Sequence, residues 1–190
     1  MTRLSSIAAI LLLGLSGCAG GPPTSFYTLD PIPAEAAPRV SAVTAPLVVT
    51  VSVPEILDRG QVVRRSGPDQ LAIAATDRWA APLDDLIRRA LAKDLATRLP
   101  GRLVGVDRPD GTLDQVILRV AIDEFTADGV GNVTLAGHWS IAAGDGQVAN
   151  PPAPFQLTTK AADASTPAAV EAMSAALAQL GDQIAARLPR

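Results

Sequence analysis

Cysteine and histidine, the residue types best suited to nucleophilic and proton-transfer work near neutral pH, occur once each, at Cys18 and His138. A single histidine and a single thiol cannot build a histidine cluster or a thiolate-rich metal site, so metal chemistry would fall to carboxylates alone. No serine stands in a nucleophile-elbow pattern that would recruit His138. That histidine falls on the polar phase of an alternating run, with Thr134, Ala136 and Ser140, and is expected to be an exposed strand residue. Asp123 and Glu124 are adjacent carboxylates, but neighbours in an extended strand point to opposite faces and share a substrate poorly. Gly129-Val130-Gly131 lacks the third glycine and the following helix of a nucleotide loop, and the chain has no Gly-Lys-Ser/Thr. It is a hairpin turn. Arg59, Arg64, Arg65 and Arg78 form a modest basic concentration, expected to pair on the surface with Asp58, Asp69 and Asp77, a phospholipid headgroup or acidic partner being the other use. The chemistry therefore reads as non-enzymatic, without a cofactor or a metal.

Cys18 gains meaning from what precedes it. From Leu4 to Leu29 no residue is charged, yet the strongly apolar part runs only from Ile7 to Leu15, too short for the roughly 20 residues of a spanning helix. Arg3, the apolar run and the small pair Ser16-Gly17 divide as a secretory signal does. Leu15-Ser16-Gly17-Cys18 has the form of a bacterial lipobox, in which cysteine is needed because its soft thiolate accepts a lipid and cleavage after Gly17 frees its amine. Residues 1–17 are thus expected to be a lipoprotein signal peptide, 18–25 a lipidated tether and 26–190 the folded domain. Two or more acyl chains hold a protein to a bilayer stably. Ala19, where an aspartate would favour the inner membrane, points to the outer membrane. Eight residues from Cys18 to Phe26 reach about 25–30 Å at most, so the domain stays near the surface.

The chain has 16 basic and 19 acidic residues, and without Arg3 the balance is close to −4. An acidic domain gains nothing from phosphate backbones, which argues against nucleic acid. Ala19 to Pro46 is rich in Gly, Pro and Ala and reads as connector, apart from a β-prone island at Phe26-Tyr27-Thr28-Leu29. Leu47 to Val53 is a strand, and Gln61–Arg65 and Gln70–Ala74 form a hairpin across Ser66-Gly67-Pro68-Asp69. Leu83, Leu86, Ile87, Ala90, Leu91, Leu95 and Leu99 share one face of a helix bounded by Pro82 and Pro100-Gly101. Asp84 with Arg88, Asp85 with Arg89 and Asp94 with Arg98 are expected on its solvated face. Val116 to Phe125 and Val133 to Ile141 alternate as a long hairpin, Phe155 to Lys160 is a strand, and a last helix runs from about Pro167 to Leu188 with Thr166 as N-cap. This order predicts an α+β fold, one mixed or antiparallel sheet with two helices on one face.

Several runs resemble a known family. They are Phe26-Tyr27-Thr28-Leu29, the stretch Val53-Pro54-Glu55-Ile56-Leu57-Asp58-Arg59-Gly60-Gln61-Val62-Val63-Arg64-Arg65, then Leu71, then Asp77-Arg78-Trp79-Ala80-Ala81-Pro82-Leu83 opening a helix, and the pattern of the final helix. Together they resemble the ABC-type transport auxiliary lipoproteins of the PqiC kind, which accompany MCE lipid-transport systems. The resemblance implies a lipoprotein of the outer membrane that faces the periplasm and docks the MCE-domain component of a transporter driven by a separate ATPase. A homo-oligomer suits such a part. Leu57, Asp58, Arg59, Arg78 and Trp79 are the expected partner interface, although Trp79 also has a structural reading, as a ring closing a core poor in aromatics. The competing classes are a structural or assembly lipoprotein of the envelope and a periplasmic lipid-binding carrier.

Overall fold

The computed structural model describes residues 21–34, 45–106, 115–145, 147–148 and 151–188; Gly17 and Cys18 lie outside them. The strands are β1 (Ser25–Tyr27), β2 (Leu47–Ser52), β3 (Gln61–Gly67), β4 (Gln70–Trp79), β5 (Val104–Gly105), β6 (Val116–Ala127), β7 (Asn132–Ala143) and β8 (Ala153–Lys160). The helices are α1 (Leu83–Arg98) and α2 (Thr166–Arg187). β6 is the axis of one mixed sheet. On one side it pairs antiparallel with β7, which pairs with β8. On the other side the sheet forks: β2 runs parallel to the first half of β6 and carries β5 at its edge, while β3 meets β6 only at Arg64 and Ala127 and leads to β4 and β1. Both helices cover one face, as the alternation and the helical stripes predict. Among the described residues no helix is long and apolar enough to cross a membrane.

The core is aliphatic. Leu47, Ile87, Leu91, Leu95, Leu118, Leu135, Leu177, Leu180 and Ile184 are fully enclosed, and burying each such side chain contributes about 1.5–3 kcal/mol. Phe125 joins them only because β6 carries an extra residue. Between the pairs Ile122 with Gly137 and Glu124 with Ala136, Asp123 has no opposite number. Strict alternation from Ile122 would turn Glu124 inward and Phe125 out; the bulge reverses both. Glu124 accepts from Arg65 and from Thr126, and Asp123 lies 3.6 Å from His138. The two carboxylates therefore share the helix-free face, contrary to the expectation that they oppose one another. Gly137 is required here, because a Cβ on it would lie 2.1 Å from the Ala121 carbonyl oxygen.

Other expectations need correction. β4 continues five residues past Ala74 to Trp79, since its far end pairs with β1 and with Gln61. The α2 N-cap is Ser165, whose hydroxyl accepts from the Ala168 amide; Thr166 is already helical and donates instead to Asp77 at 2.5 Å. Arg65 pairs with Glu124 rather than with Asp69, and Arg64 donates to the carbonyls of Ala164 and Asp128. Asp77 is held by Thr166 and Tyr27 and, among the described residues, by no arginine.

The largest departure concerns Asp94 and Arg98, read as solvated and in fact 1% and 5% exposed. They face α2 and a strap formed by residues 28–34. The Asp94 carboxylate accepts from the Ile32 amide at 2.8 Å, while Arg98 donates to the Ile32 carbonyl, to Asp94 and through a two-pronged contact to Asp182 of α2. Gly181 of α2 lies directly against the pair, where even a Cβ would stand in ordinary contact, 3.5 Å from Arg98 and Asp94. The Asp30 amide donates to Ser174, so this part of the connector is pinned to both helices. Burial pushes the Asp94 carboxyl up to about 6, against the opposing pull of the Ile32 amide and Arg98, with Asp182 adding to the rise.

Candidate docking surface

The two longest motif runs meet at one end of the sheet. Residues 54–60 form a compact turn in which the Leu57 and Asp58 amides donate to the Pro54 carbonyl and the Arg59 side chain donates to the Ile56 carbonyl. The Gly60 carbonyl then accepts from the Trp79 amide at 2.8 Å, and the Ala80 amide donates to the Tyr27 carbonyl. Pro82, whose missing N–H costs nothing at a helix start, stands just before α1. Turn, β1, β4 and α1 are thereby locked into a single corner.

Of the five predicted interface residues, the structure brings all to this corner and buries two of them. Leu57 is 3% and Trp79 5% exposed, both within the main core, so they shape the corner from beneath and offer no surface. Asp58 and Arg78 are exposed, and Arg59 is half-buried. Sequence reasoning missed Phe26, which is 66% exposed. It pairs with Arg78 across β1 and β4, and Arg78 with Gln61, so the three side chains form a row on the helix-free face. The signal was available in the alternation: Tyr27 packs against the core, and its strand neighbour must turn outward. Ile56 is a further exposed apolar residue in the turn. Among the described residues, β1 is also the free edge of this branch of the sheet. An apolar ring, a guanidinium and unpaired strand amides in one row suit a protein partner with an apolar and acidic contact strip better than they suit substrate turnover.

Fold and corner define a small α+β module whose exposed motif residues stand together at one end of the sheet. Residues 27–185 match the family described as the ABC-type transport auxiliary lipoprotein component, and the chain belongs to that family. It is 31% identical over 135 residues to the intermembrane transport lipoprotein PqiC of Escherichia coli K12, covering 70% of this chain and 71% of that protein, with the same values for PqiC of Shigella flexneri. Among solved structures, an uncharacterized protein aligns with a TM-score of 0.74 at 28% identity, covering 87% of this chain and 98% of that one. A protein from Xanthomonas campestris shares the fold, with a TM-score of 0.68 at 20% identity over 85% of this chain and 93% of that chain.

Proposed function

We propose that this protein is a non-catalytic lipoprotein, held at the outer membrane through acyl chains on Cys18 after cleavage behind Gly17 and facing the periplasm. There it docks the MCE-domain component of an ABC-type transporter. The observation that carries the reading is the convergence of the two family motif runs on one corner, where Asp58 and Arg78 are exposed beside Phe26. That corner lies on the strand into which the tether leads, so a partner bound there is held close to the anchoring membrane. An auxiliary part contributes position and contact, and the chemistry belongs to the component that hydrolyses ATP. The relatives named for intermembrane transport support the same assignment.

The test is site-specific photo-crosslinking from position 26 in whole envelopes, with Arg78 intact and with Arg78 replaced by Glu, followed by identification of the captured protein. An MCE-domain protein, lost on substituting Arg78 by Glu, is the expected product. Capture only of peptidoglycan-linked or outer-membrane assembly factors would establish the structural-lipoprotein alternative instead, and lipid alone the carrier alternative.

A further inference from the structure

The face of the sheet turned away from the helices carries a hollow of about 400 Å³ over the middle of β2, β6 and β7. Strand register explains its shape. Thr50, Arg119 and Ser140 lie side by side across the three strands, and the next outward row is Ser52, Ala121 and His138. Ala121 has only a methyl group, so its longer neighbours stand around a depression, with Pro152 at the rim. The volume falls within the roughly 300–1,000 Å³ of small-molecule sites.

The hollow's polar groups are unevenly matched. Arg65 and Arg98 are engaged with carboxylates, whereas Arg119 is exposed and makes no hydrogen bond or ion pair among the described residues. Among the same residues the Ser52 and Ser140 hydroxyls have no internal partner, and the Thr50 hydroxyl donates to the Leu118 carbonyl. His138 turns Nδ1 toward Asp123, and Glu124, the next acid along β6, is taken by Arg65. What remains is one planar five-donor cation and two free hydroxyls contributed by three different strands. A guanidinium binds oxyanions through paired N–H groups. A guanidinium with one hydroxyl beside it and another diagonally across the depression offers donors outside a single plane, which suits oxygens arranged around a tetrahedral centre better than the two coplanar oxygens of a carboxylate.

We propose that this hollow binds a small phosphate ester of glycerol-phosphate size, with Arg119 as the principal anchor of the phosphate, Ser140 beside it as a hydroxyl donor, and Ser52 across the depression facing the glycerol part. The site lies on different strands from the docking corner, and it stands whether or not the transport reading does.

The full chain in maltoside micelles, with the ring signals of its single histidine followed by NMR, is titrated at constant ionic strength with glycerol 3-phosphate, with dihexanoyl phosphatidylglycerol below its micelle concentration, and with acetate. Saturable shifts of the His138 signals with a phosphate ester are expected. Arg119→Ala should weaken them about tenfold or more, the loss of one charge-assisted anchor, with an unchanged unfolding midpoint. Arg119→Lys should fall between the two. Tighter saturation by the short-chain lipid assigns a lipid headgroup as the source, and saturation by glycerol 3-phosphate alone assigns a soluble ester. No saturable shift with either ester, equal binding of acetate, or indifference to Arg119→Ala would overturn the proposal.

Discussion

Asp94 permits a quantitative test of how the strap and the two helices are held. Its carboxyl is pushed from an ordinary value of 3.8 to about 6, chiefly by burial. Each pH unit of such a shift corresponds to about 1.36 kcal/mol, so ionising Asp94 disfavours the folded state by about 3 kcal/mol relative to leaving it protonated. The folded value lies above the unfolded one, so this contribution to stability is fully present below about pH 3.8 and is lost as the pH rises through about 6. Asp94→Asn preserves the shape and leaves an oxygen to accept from the Ile32 amide, but it does not titrate. Urea unfolding of both proteins in small steps between about pH 4 and about pH 7.5 gives a difference curve in which the other titrating groups cancel. The wild type should lose about 2–3 kcal/mol relative to Asp94→Asn across that range. A constant offset from the weakened attraction to Arg98 moves the whole curve without changing its slope. A curve flat within about 0.5 kcal/mol would refute the reasoning, because Asp94 would then titrate alike in the folded and unfolded chains.

Gly137→Ala should destabilise by about 3 kcal/mol in thermal unfolding, because the new Cβ meets the Ala121 carbonyl at 2.1 Å, whereas Gly129→Ala, with nothing within 4 Å, should be close to neutral. Ser165→Ala should cost about 1 kcal/mol through the lost cap of α2, read by the denaturation midpoint. Trp79→Ala should cost about 3–5 kcal/mol while Arg78→Ala stays within about 0.5, a contrast that separates the buried support of the corner from its exposed surface. Cys18→Ala should leave the unfolding curve of the domain unchanged and move the protein from the membrane fraction to the soluble fraction; continued tight membrane association would rule out acyl anchoring.

The sequence made local periodicity legible, and with it most of the elements. The stripes through Leu83–Leu99 and Val170–Leu188 and the alternation of β6 and β7 declare their faces without reference to anything distant. What stayed hidden was set by partners far along the chain. Asp94 and Arg98 have the spacing of any solvated helix pair, and only the arrival of the strap and of α2 makes them interior. The bulge at Asp123 breaks no rule of composition; its trace was Gly137, which sits where a side chain would collide with the displaced backbone. The parallel neighbours β2 with β6 and β1 with β4 join segments far apart in sequence, which hairpin signals do not report. At the corner the motif residues were found together, but their division into Leu57 and Trp79 below and Asp58 and Arg78 above depended on burial.

The strap gives the module an order of mechanical resistance. Tension applied through the residues ahead of Ser25 first reaches β1, which is held to β4 by three residue pairs at an open edge. If that strand peels away, the pull passes to Leu29, Asp30 and Ile32, where Ser174, Asp94 and Arg98 grip the backbone of the strap from two helices. The corner with Phe26 would therefore yield before the core does, a sequence of events that stretching single molecules from the N-terminus would resolve as a short first extension ahead of global rupture.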